Sequence, residues 1–569
     1  MKSHHYKIAF IFLVFIFCQV CCHHVFGGNY TWNGSQDHKW SNKDNWTPAG
    51  YPTGNDSITL NIDGIKNLQL DSAKTVYRLN MQGDTLDLGT LTLTVSSTSL
   101  LSGGYITNGT LDARGASCTF SGCIINVTIA ASCNSVLFNG STFNQPVAAE
   151  ITSGTTNTSN GGNIFNSTLQ VSNPGLGTVI FASSTRDIFN GNVTISDTGS
   201  GTINMAAYDT SFFNGNIIVN SSGGGVTFCG SDAGFSKLAR GKTISVGTKG
   251  FSTGTLLLHQ FIQTGSTAQS VTLTGSSVLS IMNSKFNGTV SFTSPNILSR
   301  MTTYYEKAIF TWTGSVNNSW YGGNTYLGVS RFTNNGSGSH TMQTSVGDVF
   351  TDSITINGGS GRFYSCLADS TIFYNNLYFT GSMVSFSEGT GKAVFAGTAN
   401  QLISGTTGLV FKKLTTNKTA GSLTLNTPVT ISTSLNLIQG NIITDTTNLL
   451  TLTSTASCYQ ASNASFVSGP VKKQGNSSFT FPIGAGNSMS VAGISAPANN
   501  TDAFMAEYFE GVNMMGDSLD TLLTSISECG YWNIQKDQRH LTGVCYPWMG
   551  YPSLYELCRH QCRDRFLAE

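Results

Sequence analysis

Four aspartates come in two pairs of similar spacing. Asp187 and Asp209 lie 22 residues apart, and Asp348 and Asp369 repeat the pattern further along the chain. Two carboxylates on neighbouring strands of one sheet stand about 5 Å apart. That separation suits a retaining glycosidase, in which one carboxyl protonates the leaving group while the other attacks the sugar. It also suits a calcium ion held by oxygen ligands. The simpler alternative is an Asp at a bend that bonds its own backbone and faces water. The flanking sequence supplies no cluster of Arg, Lys and Tyr to stabilise a sugar-acid transition state. Trp32, Trp40 and Trp46 form the second candidate group, lying in polar, turn-rich sequence. Three indoles can make a platform on which sugars stack, or they can plug the open end of a stacked fold.

Other reactive residue types are scattered. His38, His259, His340, His540 and His560 form no HExxH or HxH pattern. Gly389-Thr-Gly-Lys392 lacks the upstream Gly and the downstream Ser or Thr of a phosphate loop. Of the 13 cysteines, Cys118 and Cys123 could pair locally or remain small buried thiols. Cys558, His560 and Cys562 offer ligand types for a metal, but they sit in a terminal stretch unlike the rest of the chain. No cofactor is expected apart from the calcium option at the aspartates.

The elements that must position these residues are legible as a repeat. Phe165, Phe189 and Phe213 recur every 24 residues. Each is followed by an alternating strand and then a Gly/Ser/Asn bend. A larger unit recurs as well: Asp187-Ile-Phe189 returns as Asp348-Val-Phe350, and Gly199-Ser-Gly201 as Gly359-Ser-Gly361. Turns of this length, each burying its apolar face only against its neighbours, predict a solenoid. The pattern lacks the LxxLxL signature of leucine-rich repeats and is too short for propeller blades, so the expected fold is all-β, a right-handed parallel β-helix with a C-terminal cap or sandwich-like segment. In such a stack Phe189 and Phe213 should lie face to face inside. Asn190 and Asn214 should form an amide ladder at a bend, and Gly191 and Gly215 should supply positive φ.

Composition agrees with many short strands and narrows the function classes. Only 10% of the 569 residues are charged, against roughly 25% in ordinary soluble proteins. Lys plus Arg and Asp plus Glu balance at 29 each, so no field exists to attract nucleic acid or an acidic membrane. Lys2 and Lys7 precede an apolar run at 8–20, which reads as a secretory signal with cleavage near residue 27. Cys21 and Cys22 fit a lipid-attachment site poorly, and no later run is long enough to span a bilayer. The expected organisation is a signal at 1–27, a Trp-rich cap and first strands at 28–84, the β-helix with its super-repeat of about 161 residues at 85–440, a C-terminal β segment at 441–535, and a disordered or frame-shifted tail at 536–569.

Three features resemble the large secreted, repeat-built surface proteins of Bacteroidetes-type bacteria: the Trp-x-Gly, Trp-Ser and Asn-Trp opening at Trp32, Trp40 and Trp46; the Phe-Asn-Gly coils with Gly-Ser-Gly bends; and the segment 435–484. The resemblance implies an extracellular or cell-surface location, an adhesin-like or structural role without enzymatic activity, and export by a secretion machinery. A long stack with a regular Thr/Asn/Ser surface also suits weak multivalent contacts with glycans, neighbouring cells or other cell-surface components. Many members carry a C-terminal domain for type IX secretion, and the segment after Trp532 departs from that pattern. A polysaccharide-active β-helix enzyme, a glycoside hydrolase or lyase using the Asp pairs, is the alternative.

Overall fold

A computed structural model describes residues 27–61, 65–381, 384–386, 388–511, 529–536 and 545–546. The expected signal segment lies outside the described residues except at its last position. So does the expected tail, apart from Lys536, Cys545 and Tyr546. The chain is all-β, a right-handed parallel β-solenoid of about 19 turns. Its contacts group it into two units, one of residues 1–218 and 229–234, the other of 219–228 and 235–569.

In the first unit, Asn29–Trp32 pairs in parallel with Ser57–Asn61, which pairs in turn with Lys74–Gln82. The parallel ladder continues through Thr92–Ser102, Tyr105–Ser121 and Ile124–Asn139 to Val147–Ile151, Leu169–Asn173 and Val193–Asp197. Alternation sets the faces: in Ser57–Asn61, Ile58 and Leu60 are buried while the intervening polar residues are partly exposed. Phe165, Phe189 and Phe213 occupy equivalent positions of three coils. Their rings stack as expected, with centroids 5.3 and 4.9 Å apart and planes within 16° of parallel.

The amide ladder is present and longer than expected. Each Asn donates Nδ2 to the Oδ1 of the Asn one coil earlier, from Asn214 through Asn190, Asn166 and Asn144 to Asn126, at 2.6–2.8 Å. The expectation of positive φ at Gly191 and Gly215 is corrected, because neither is among the left-handed glycines. Glycine is required there for close approach instead. A Cβ on Gly191 would lie 2.1 Å from the Ser167 carbonyl oxygen, and one on Gly215 the same distance from that of Gly191.

In the second unit, one parallel column runs from Gln269–Thr272 through Val290–Ser294, Ala308–Trp312, Ser330–Asn334 and Ile354–Asn357 to Leu377–Thr380. A second column stacks the aromatic side chains of Phe286, Tyr304, Tyr326, Phe350 and Phe373. Parallel pairing persists as far as Val467–Ser468 with Ile483–Ala485. It then gives way to antiparallel strands: Val471–Gln474 pairs with Ala503–Glu510, which pairs with Gly530–Lys536. Cys545–Tyr546 adds to Ala492–Ile494, also antiparallel.

Candidate binding surface

The paired aspartates do not meet. Strand register matches Ile188 with Phe212 and Phe189 with Phe213, so the residue one coil after Asp187 is Ser211, not Asp209. Likewise Val349 matches Ile372, which places Thr371 rather than Asp369 after Asp348. A spacing of 22 or 21 residues is two short of the local coil, and two residues carry the chain from the interior around a bend to the surface. Asp187 and Asp348 are fully buried. Asp209 is half-buried and accepts hydrogen bonds from the Arg186 and Thr210 amides, while exposed Asp369 accepts from the Ser370 amide. The bend reading therefore holds for the second member of each pair. Neither the glycosidase pair nor the calcium pair is assembled, and the described residues contain no group of three His, Cys, Asp or Glu able to hold a metal.

What Asp187 does in the interior follows from its partners. At this corner each backbone N–H is met by the side chain at the same position one coil later. Cys123 N–H donates to Ser141 Oγ (3.0 Å), Ser141 N–H to Asn163 Oδ1 (2.9 Å), Asn163 N–H to Asp187 Oδ1 (2.9 Å) and Asp187 N–H to Ser211 Oγ (3.2 Å). The second unit builds the same ladder. Phe261 N–H donates to Ser284 Oγ, Ser284 N–H to Thr302 Oγ1, Thr302 N–H to Asn324 Oδ1 and Asn324 N–H to Asp348 Oδ1. A buried amide without a partner is costly, and these short polar side chains supply the acceptor where the strand ladder turns.

The two carboxylates differ in their second oxygen. Asp348 Oδ2 accepts from Gln343 Nε2 at 2.8 Å. Gln343 is the counterpart of Ala182 one super-repeat earlier, and both adopt left-handed backbone, with φ of 55° and 51°. The alanine side chain has nothing to donate, and Asp187 Oδ2 meets no donor in good geometry. Burial pushes the Asp187 carboxyl up to about 7, eased by the bonds from Asn163 and the Ala182 backbone amide. Burial likewise pushes Asp348 up to about 6, and the bonds from Gln343 and Asn324 hold it lower.

The three tryptophans are also internal, which corrects their reading as a sugar platform. Trp32, Trp40 and Trp46 are each 1% exposed. Trp46 sits edge-on to both of the others with centroids 5.0 Å away. Trp32 Nε1 donates to the Lys66 carbonyl and Trp46 Nε1 to that of Trp40. No ring face is free for a ligand, so the cluster plugs the coil it belongs to. Cys118 and Cys123 are buried free thiols rather than a disulfide.

Two surface features escaped the sequence reading. In the second unit the bend position that carries the Asn ladder in the first is held by Tyr305, Leu327, Thr351 and Tyr374, each bonded through its N–H to the previous coil. Tyr305, Leu327 and Tyr374 are 43%, 37% and 41% exposed. The repeat alignment on Phe could have exposed this exchange of amide for aromatic and aliphatic side chains at the following position.

The second feature is an open groove of about 760 Å³ on the second unit. Its lining comes from five successive coils at 272–275, 293 and 295, 313–315, 335–337 and 360, and none of its residues is ionisable. Its glycines are there for close packing, since a Cβ on Gly336 would lie 1.9 Å from the Gly314 carbonyl oxygen. The Gly-Ser motifs were legible as bends, but not that consecutive bends line a channel. Comparison with protein families, with characterised proteins and with solved structures finds no match to this chain.

Proposed function

We propose that the chain is an exported, non-enzymatic structural and adhesin-like module of the cell surface, making multivalent contacts with glycans or neighbouring cells. The observation that carries this reading is the uncharged groove repeated over five coils. A surface that presents similar polar groups at each coil gains strength by repetition rather than by one deep site. Export rests on the basic and apolar opening at 2–20, and the cell-surface role on the likeness to Bacteroidetes-type repeat proteins. The alternative, a polysaccharide-active enzyme, drew its site from the Asp pairs. It loses that support because Asp187 is committed to the amide of Asn163 while Asp209 lies at the surface.

A glycan array and a cell-adherence assay test the binding half. A reducing-sugar assay on the same preparation tests for turnover, with wild type beside the Asp187→Asn/Asp209→Asn variant. Retained binding by the variant and no sugar release by either protein is the expected result. Sugar release by wild type that disappears in the variant would overturn the reading.

A further inference from the structure

We infer that the groove on the second unit is a binding channel for an extended, neutral, β-linked polysaccharide lying along the solenoid axis, one sugar to each coil. The inference rests on the adhesive reading above and assigns it a site and a ligand class.

Register makes the channel periodic. Thr272, Thr293, Thr311, Thr333 and Asn357 are direct partners on five consecutive strands. The bends that follow these strands supply the lining, so each coil contributes a hydroxyl or amide at a similar height: Thr274, Pro295 with Thr293, Thr313 with Ser315, Asn335 with Ser337, and Ser360. Successive coils are about 4.8 Å apart. A flat, extended β-linked pyranose chain advances by one ring length per sugar, so successive rings can lie over successive coils, alternate rings presenting opposite edges.

Most of the groups on offer are uncommitted, the exception being Thr274, whose Oγ1 donates to the Phe251 carbonyl at 3.4 Å. Among the described residues, the side chains of Thr313, Ser315, Asn335, Ser337 and Ser360 make no hydrogen bond to another residue. By contrast, buried hydroxyls of the same coils, such as Ser294 and Ser299, are bonded internally. Free hydroxyls and an amide can both donate and accept, as sugar hydroxyls do, while the threonine methyls and Pro295 offer apolar contact to ring C–H groups. Arg331 and Arg362 are the nearest cations along the chain, and neither lines the channel. A ligand that owed its affinity to carboxylate or sulfate groups would find no partner there.

The test uses the full chain and affinity electrophoresis in gels containing β-linked mannan, xyloglucan or hydroxyethylcellulose, with alginate and pectate as acidic polymers. Neutral polymers should retard the protein and acidic ones should not. Among short β-linked oligosaccharides, affinity should rise with length and level off near the five sugars that five coils can hold. Ser315→Arg/Ser337→Arg should weaken retardation by about tenfold or more, while Thr351→Arg on another bend leaves it unchanged. Unchanged thermal melting shows that the double variant is folded, and Thr313→Arg alone repeats the test if it is not. Neutral-polymer binding that survives these changes, or a preference for acidic polymers, overturns the channel. If cells adhere but no neutral polymer binds, the channel fails and the broader adhesive reading stands. If nothing adheres and no glycan binds, both fail.

Discussion

Asp187 and Asp348 occupy one position of the super-repeat, yet their second oxygens meet different neighbours, and that difference is measurable. The unfolded carboxyl titrates near 3.8, whereas the folded one is raised to about 7 at Asp187 and about 6 at Asp348. Between these limits the folded chain holds protons that the unfolded chain has lost. The stability contribution is therefore fully present below pH 3.8, falls as pH rises toward 7 and levels off above. For Asp187 the full shift corresponds to roughly 4 kcal/mol as an upper bound. Asp187→Asn keeps an oxygen for the Asn163 amide, removes the ionisation and loses no side-chain bond at Oδ2. It should melt higher than wild type at pH 8 and show a flatter profile from pH 4 to 7. Asp348→Asn should behave differently. Gln343 is locked, because its Oε1 accepts from Cys366 N–H and Ser365 Oγ at 2.9 Å each. Its Nε2 would then face a second NH2 group, at a cost of about 1–3 kcal/mol. Thermal melts of both variants from pH 4 to 9 decide the matter. If Asp187→Asn follows the wild-type profile throughout, the carboxyl does not titrate as its burial requires.

Glycines at the bends look alike as letters but serve two purposes. Gly140 has a φ of 66° and open space around its absent Cβ, so alanine there meets only backbone strain of about 1 kcal/mol. Gly191 has no such φ, but alanine would drive its Cβ into the Ser167 carbonyl. Relief requires neighbouring coils to separate, which costs about 3 kcal/mol or more. Gly191→Ala should therefore lower the melting temperature well beyond Gly140→Ala, and equal effects would remove the distinction. The same pair shows what the sequence can and cannot say about elements. The 24-residue spacing of Phe165, Phe189 and Phe213 was enough to place their rings in one stack and their Asn neighbours in one ladder. The spacing held because these coils are equal in length. Earlier rungs of the ladder are 18 and 22 residues apart, and there the repeat was hidden. The Asp pairs misled for a related reason: a spacing two residues short of the coil is easily read as one turn, yet it puts Asp209 on the bend before the strand instead of beside Asp187 at the corner. Left-handed backbone at Ala182, Gln343 and Cys366 had no sequence signal, because none is glycine or asparagine. The groove was invisible for a different reason. It belongs to five bends at once, and no single bend announces it.

At the scale of the whole chain, stability in a solenoid is a sum of coil and neighbour terms, so an exposed end is where unfolding begins unless something covers it. In the first unit the Trp cluster has that place. Trp46 lies on a short strand antiparallel to Asn29–Trp32, which is itself parallel to Ser57–Asn61. Removing its ring opens a cavity between Trp32 and Trp40 and takes away the edge-on contacts to both, at a cost of about 3–5 kcal/mol for Trp46→Ala. Because each coil touches only its neighbours, this loss should not spread evenly. Amide hydrogen exchange should accelerate in Ser57–Asn61 and, to a smaller extent, in Lys74–Gln82. Val193–Asp197, several coils further on in the same unit, should keep its wild-type protection. A ligand-stacking role for the tryptophans would instead leave exchange near the wild-type rate and alter only binding. Uniform acceleration through the unit would mean that its coils unfold as one cooperative block, and the nearest-neighbour description would have to be abandoned for this chain.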